Sequence, residues 1–372
     1  MKARIVRLTA RVFSIRRSFA IAVAALLATA ACRDHDTSWK LDQLADGTQA
    51  ISHAQLHPLL PKERVLVADP GIGEPRHLIV DGPRLWIADH SGDPYLHVID
   101  IPTGKVLRSV GPQGEGPGDF QQTPQFSRRP GDTTGIWAYD DGLRRLTAES
   151  AEPHTHPATF NAPPEFVDVY SYLWLGRNRL AGIGDMDTNR IIFADTTGHL
   201  QAMVKADLLG PDSVPLLARR AASGAFAACA DPVAQRFAVL YQIGGRIDIF
   251  DSTGRLASRA KVPFANNGEW APTARDHTLW AQVHWFFYID CNATPKYLYA
   301  LFDGHRIDGP HGGRVRAGRY VHVFDWNGNL VKVVALGHEM SAIAVSGDTL
   351  LFAAGQQGEG IFEYDITGLH DK

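Results

Sequence analysis

One element recurs along this 372-residue chain and constrains its fold more than any other feature: an apolar strand ending in Asp, a tight turn with Gly, and a second strand. It reads His97-Val-Ile-Asp100-Ile-Pro-Thr-Gly104, Ile191-Ile-Phe-Ala-Asp195-Thr-Thr-Gly198, Ile247-Asp-Ile-Phe-Asp251-Ser-Thr-Gly254 and Val321-His-Val-Phe-Asp325-Trp-Asn-Gly328. A shortened copy is Ile136-Trp-Ala-Tyr-Asp140-Asp-Gly142, and Ile361-Phe-Glu-Tyr-Asp365-Ile-Thr-Gly368 runs into the C-terminus. Asp accepts hydrogen bonds from backbone amides just ahead of it, and Gly supplies the positive φ that closes the hairpin. All six aspartates therefore read as turn residues.

The six copies lie 40, 55, 56, 74 and 40 residues apart. Periods of about 40–50 residues, each holding about four strands, indicate the blades of a β-propeller. A twisted four-stranded sheet cannot bury both faces alone, so such sheets stack around an axis. The fold expected is all-β, a six-bladed propeller with blades near 76–111, 124–160, 165–205, 223–263, 275–337 and 340–369. Only four residues follow Gly368, too few for an outer strand of the last blade. The lone strand Arg64-Val-Leu-Val-Ala68 is expected to pair with that blade, close the ring and leave no long open edge. The segment 204–222, broken by Gly210-Pro211 and Pro215, reads as a loop excursion.

The N-terminus sets the compartment. Residues 1–31 hold six basic residues and no acidic one, then the apolar run 20–28 and small residues up to Ala31. This is the charged region, short apolar region and small-residue cleavage site of a bacterial export signal. The run is shorter than the roughly 20 residues that span a bilayer. Ala30-Ala31-Cys32 resembles a lipobox, which makes Cys32 the expected lipidation site, and Arg16-Arg17-Ser-Phe-Ala20 is similar to a twin-arginine signal. The expected organisation is signal peptide 1–31, lipidated tether 32–62 and propeller 63–369. The expected location is the periplasm-facing cell envelope, with the membrane as partner through the lipid.

Loss of residues 1–31 removes six of the 37 basic residues, leaving 31 against 40 acidic ones and a formal charge of −9. An acidic chain without a basic run is a poor nucleic-acid binder, because phosphate contacts need clustered Lys and Arg. Cys229 and Cys291 are the other two cysteines; their spacing fits no metal motif, and an oxidising compartment makes a disulfide between them one option beside two buried thiols.

From about residue 63 onward the chain resembles the TolB-like, six-bladed β-propeller lipoproteins of bacteria, relatives of NHL-repeat propellers. The segments that carry the resemblance are Gly111-Pro-Gln-Gly-Glu-Gly-Pro-Gly-Asp-Phe120, Tyr297-Leu-Tyr-Ala-Leu-Phe-Asp-Gly304 with Val321–Gly328, and Leu85-Trp-Ile-Ala-Asp89. The resemblance implies the fold; it implies no reaction, since fold does not fix function.

Candidate chemistry is sparse. The segment 111–120 is Gly-rich, but a phosphate cradle needs a following helix, and the next element reads as a strand. It is expected to cross between blades with Phe120 in the core. Glu115-Gly-Pro117 is similar to the Glu-Gly-Pro of gluconolactonase- and regucalcin-like propellers, where it would imply Ca²⁺ in the channel and a metal-dependent lactonase. Asn266-Asn267-Gly268 is a poor second ligand motif, so Glu115 stands alone as a metal candidate and no cofactor is expected outside that reading. His53 with His57, and His154 with His156, lack a third ligand. No Gly-x-Ser-x-Gly elbow is present to expose a triad serine.

The Gly-rich insertion 303–320 carries Arg306, His311, Arg314, Arg316 and Arg319, cations that suit a carboxylate or an anionic glycan. Arg76-His77 and the stretch 185–190 are the other polar candidates. The function read from the sequence is a non-enzymatic binding or scaffold module for a protein or carbohydrate ligand. The alternatives are the lactonase and a structural subunit of an envelope assembly.

Overall fold

In the computed structural model, the described residues are 49–50, 58–68, 71–132, 135–150, 157–162, 168–186, 189–210, 212–224, 226–231, 233, 235–261, 283–304, 306–308, 317–356 and 359–370. β1 (Gln49–Ala50) and β2 (Lys62–Val67) precede four antiparallel sheets. The first holds β3 (Pro75–Asp81), β4 (Arg84–Asp89), β5 (Leu96–Asp100) and β6 (Lys105–Val110). The second holds β7 (Gln125–Ser127), β8 (Ile136–Asp140), β9 (Arg145–Glu149) and β10 (Thr159–Asn161). The third holds β11 (Val169–Gly176), β12 (Arg179–Met186), β13 (Asn189–Ala194) and β14 (Leu200–Val204), and α1 (Leu216–Gly224) follows it. β15 (Phe226–Ala230), β16 (Arg236–Tyr241), β17 (Arg246–Asp251) and β18 (Leu256–Lys261) make the fourth, and β1 joins it beside β18 in parallel, Gln49 opposite Ala260.

The remaining strands are β19 (Val283–Trp285), β20 (Tyr288–Ala293), β21 (Tyr297–Phe302), β22 (Arg306–Asp308), β23 (Gly318–Asp325), β24 (Leu330–Ser346), β25 (Leu350–Gly355) and β26 (Ile361–Asp365). β19 and β22 pair with each other, and the rest join β2 in one seven-stranded sheet of order β2-β26-β25-β24-β23-β21-β20. β24 is shared: Leu330–Ala335 pairs with β23, and Met340–Ser346 pairs with β25. Six strands thus stand innermost if the two halves of this sheet are taken separately.

The sheets form a ring because each buries apolar faces against the next. Trp86, Leu96 and Val98 of the first sheet pack with Ile136 and Ala138 of the second. Trp137 and Tyr139 meet Tyr172 and Trp174 of the third, the tryptophans 5.1 Å apart between ring centroids. Such aromatic pairs add about 0.5–1.5 kcal/mol beyond their burial. Phe193 of the third sheet packs on Phe237 of the fourth. Ala342, Ala344 and Phe352 of the last sheet pack on Leu78, Leu85 and Ile87 of the first, which closes the circle. β2 then supplies the strand that the tail lacks: Glu63 pairs with Tyr364 and Val65 with Phe362, and the Arg64 guanidinium forks onto Glu363.

Two expectations change. Residues Leu216–Gly224 are helical rather than a loop, and Pro215 stands just ahead of the first turn, a position where a missing N–H costs nothing. The Asp140 copy belongs to a different turn from the others. Asp100, Asp251 and Asp325 end the third strand of their sheets and Asp195 directly follows one, whereas Asp140 ends the second, β8. Its turn lies at the opposite rim. The crossover behaves as expected: Phe120 is fully buried against the first two sheets, and the next element is β7.

Candidate functional site

In these antiparallel sheets the innermost strand begins, and the second strand ends, on one rim, the entry rim. Here a cavity of about 520 Å³ opens, lined by Arg76 and His77 of β3, His90 beyond β4, and Gln121, Gln122 and Thr123 ahead of β7, with Gln125 and Ser341 completing the wall. It continues into a second cavity of about 490 Å³ along the axis, and His77, Gln125 and Ile289 belong to both. Residues from β3, β7, β11, β15, β20 and β24 line this inner space, so it is the propeller's central channel.

Two buried carboxylates shape the mouth. Asp89 at the end of β4 accepts from the amides of Gly73 and Glu74, both at 2.8 Å, and from Ser91 N at 3.0 Å. That fixes the segment leading into Arg76 and His77. Burial alone would raise the Asp89 carboxyl, but His97 and the three amides outweigh it and hold the group well below the usual carboxylate range. His97 Nε2 stands 3.8 Å from Asp89 Oδ2, beyond hydrogen-bond reach. Asp140 does the same for the next sheet. It accepts from Gln121 N at 2.5 Å, Gln122 N at 3.3 Å and Leu143 N at 2.9 Å.

The side chains of the mouth are then set locally. Arg76 pairs with the Glu74 carboxylate, and His90 Nδ1 lies 2.7 Å from Thr123 Oγ1. Gln125 Nε2 donates to Tyr170 O at 2.8 Å. At the neck between the cavities, His77 Nδ1 is 3.9 Å from Asp290 Oδ1, while Asp290 Oδ2 accepts from Ile343 N at 2.7 Å. Deeper in, Asp348 Oδ1 accepts from Thr294 Oγ1 at 2.7 Å and Tyr299 Oη at 2.9 Å. Ser127 Oγ and Trp174 Nε1, on residues that line the second cavity, are buried without a hydrogen-bond partner. Such atoms cost stability unless water or a ligand meets them.

Of the residues singled out from the sequence, Arg76 and His77 stand in the mouth. Arg306 is at the start of β22, which follows the end of β21 on the same rim. Arg319 Nε pairs with Glu339 Oε1 at 3.4 Å, and its side chain is exposed. His311, Arg314, Arg316 and Cys32 lie outside the described residues, as do His53, His57, His154, His156 and Asn266 to Gly268. Asp185 is taken by Arg190 at 3.3 Å and Arg220 at 3.0 Å. Glu115 sits exposed on the crossover, accepts from Gln121 Nε2 at 2.8 Å, and lines neither cavity. Among the described residues no group of three or more His, Cys, Asp or Glu could hold a metal ion.

Cys229 of β15 and Cys291 of β20 come together on the channel wall, their Cα atoms 6.1 Å apart, within the range of a disulfide. Sequence reasoning passed over His90, Gln121, Gln122, Thr123, Asp290 and Ser341. The signal available for them was positional only: each stands at or just ahead of the start of an innermost strand, or just past the end of a second one.

One further arrangement has the composition of a triad. Ser109 Oγ is 2.8 Å from His97 Nδ1, and Asp89 faces the other ring nitrogen. Asp89 is already committed to the backbone amides, Ser109 is exposed on the outer strand β6, and it lines neither cavity. A nucleophile also needs donors for the developing oxyanion and a place for substrate. This group reads as a cross-strand hydrogen bond.

No curated protein matches this chain. Among solved structures, the β-propeller domain of Myceliophteria thermophila Cps50 (Swd1) is similar, with a TM-score of 0.45 and 14% identity over 82% of this chain and 100% of that one. A family model described as TolB-like 6-blade propeller-like matches residues 72–348, from the entry into the first sheet to the turn after β24. With most of its length matched, the chain belongs to the TolB-like six-bladed propeller-like family.

Proposed function

We propose that this protein is an exported, lipid-anchored binding module that holds a small polar ligand in the entry-rim mouth of its channel. The observation that carries the reading is the mouth itself: about 520 Å³ walled by Arg76, His77, His90, Gln121, Gln122 and Thr123, on strands held by Asp89 and Asp140. Concave sites of a few hundred Å³ with a few convergent polar groups are where small ligands bind. The rigid ring preorganises those groups, which lowers the entropy lost on binding.

The export and anchor parts of this reading rest on residues 1–32. The approach of Cys229 and Cys291 supports an oxidising compartment, where such a pair is stably bridged. Two experiments test the reading. Cys32→Ser moves the protein from the membrane to the soluble fraction; unchanged fractionation and mobility overturn the anchor. Gln122→Trp, which fills the mouth, abolishes the thermal stabilisation given by whatever small molecule co-purifies with the native protein. If the co-purifying molecule stabilises the filled variant equally, the mouth is not the site.

A further inference from the structure

The described residues ahead of the first sheet follow the outside of the ring. β2 forms the outer edge of one half of the seven-stranded sheet. Just before it, Leu59 lies beside Val334, on the strand that edges the other half. Its N–H donates to Val333 O at 2.8 Å, and its carbonyl accepts from Ala335 N at 2.9 Å. Further back, Gln49 and Ala50 of β1 run beside Ala260 and Lys261 of β18, the outer strand of the fourth sheet. Both contacts are parallel. Traced toward its N-terminus, the chain thus meets three outer edges in their order around the ring. The next edge in that direction is β14 of the third sheet, which packs on the fourth.

β14 is also the edge least defended against an added strand. Open edges are normally blunted by charge, by shortness or by a cover. β6 carries Lys105 and Arg108, β18 carries Arg259 and Lys261, the Leu330–Ala335 edge carries Lys332, and β2 carries Lys62, Glu63 and Arg64. β10 has only three residues. β14, Leu200-Gln-Ala-Met-Val204, has no charged side chain, and Leu200 is 42% and Met203 45% exposed. Among the described residues no strand lies outside it.

We infer that the chain's own segment Leu41-Asp-Gln-Leu-Ala45 adds to β14 as a parallel edge strand, so that the N-terminal segment is a strap around the ring. These five residues lie outside the described ones. The length of chain suffices: Leu44 and Leu41 are five and eight residues from Gln49, a reach of about 17–28 Å when extended. The pattern matches as well. Leu41 and Leu44 have the spacing of Leu200 and Met203, and residues three apart in a strand point to opposite faces. A parallel pairing therefore sets one apolar pair on each face of the extended sheet. The same register brings Asp46 beside Lys205, a complementary pair at the end of the contact. Main-chain hydrogen bonds hold such an added strand, and the side chains fix its register. The free part of the tether then shortens from residues 32–48 to residues 32–40, so a lipid on Cys32 holds the ring close to the bilayer. That consequence rests on the anchor reading; the pairing does not.

The test uses the full-length protein carrying Cys32→Ser, so that its outcome does not depend on the lipid. Met203→Cys is combined in turn with Leu41→Cys, Gln43→Cys, Leu44→Cys and Ala45→Cys, and the oxidised proteins are digested and mapped by mass spectrometry. The expected result is a link within one chain, its yield highest at position 44. That yield is about tenfold above that of Leu44→Cys with Leu107→Cys, because a docked pair has the higher effective concentration. Leu107, 49% exposed on the β6 edge, is the control for chance encounters. Links between two chains make a second copy the occupant, and yields no higher than the control leave the segment off the edge; either result overturns the strap. Hydrogen exchange gives a readout without new thiols. Leu41→Asp with Leu44→Asp speeds exchange of the amides of 200–204 about tenfold and leaves those of 105–110 unchanged. Unchanged exchange at 200–204 overturns the pairing.

Discussion

Asp140 and Asp251 look alike in the sequence, each closing an apolar strand before a Gly-containing turn, and they do different work. Asp251 bonds within its own hairpin: its carboxylate accepts from Thr253 N at 2.9 Å and Arg255 N at 3.1 Å, at the rim away from the mouth. Asp195 and Asp325 repeat that pattern with the amides of Thr197 and His199, and of Asn327 and Asn329. Asp140 is fully buried and takes the amides of Gln121 and Gln122, which precede its own sheet, and Asp89 does likewise with Gly73 and Glu74. A carboxylate that bonds its neighbours shapes one turn. A carboxylate that bonds a distant crossover fixes where that crossover delivers side chains, and here it delivers them to the mouth.

The largest effect expected from this contrast is that of Asp140→Ala. It leaves three amide donors without their acceptor in a buried site, a loss of about 3 kcal/mol at roughly 1 kcal/mol or more for each donor. Urea unfolding at pH 7 checks the value, and ligand binding at the mouth falls with it because Gln121 and Gln122 lose their anchor. Asp89→Ala behaves similarly. A loss no greater than that of Asp251→Ala would erase the distinction between the two classes.

Acid gives the next effect. The folded Asp89 carboxyl lies well below its unfolded value of about 4, so its stabilising contribution is complete above that pH and is lost as pH falls through and below it. Asp89→Asn cannot ionise. The gap in melting temperature between wild type and Asp89→Asn therefore narrows steadily as pH falls below about 4. A gap that does not change with pH would mean that the ionised form is not what holds Gly73 and Glu74.

The sequence made the ring legible because the turn signal is local. Asp, Gly and the apolar run before them lie within eight residues, and their spacing marks the third-to-fourth strand turns of several sheets. The partner strand of the tail was legible from arithmetic alone, since four residues after Gly368 cannot form a strand and 64–68 had no partner of its own. Asp140 does cap its own turn through Leu143 N, but its further reach was not legible because its other two partners lie 18 and 19 residues upstream, and Asp-Asp-Gly does not say which pair of strands it joins. α1 was missed because Pro211 and Pro215 read as breakers, although Pro215 precedes the first turn, where it is tolerated. Arg76 and His77 stood out as a charged pair opening a strand. Gln121, Gln122 and Ser341 did not, because nothing in an amide or a hydroxyl marks it as facing a channel until the ring is closed.

The smallest effect is the sharpest discriminator. At Asp251 burial, which would raise the carboxyl, is slight, and the bonds from Thr253 and Arg255 bring it down to about 2. Asp251→Asn keeps an oxygen for the same two amides, and Asn is as competent as Asp in such turns, so stability at pH 7 changes by less than about 0.5 kcal/mol. Asp251→Ala removes the oxygen from a solvated turn and costs about 1 kcal/mol, because water meets the freed amides. Asp140→Asn has no such tolerance: one of its two oxygens becomes an NH₂ facing amide donors, so it lies close to Asp140→Ala. The ratio of the Asn effect to the Ala effect at each position, measured on four variants in one urea series, then separates the classes. A ratio near zero at Asp251 and near one at Asp140 is the expected pair of values. Equal ratios at the two sites would mean that both aspartates are simple turn caps and that the mouth is held by other bonds.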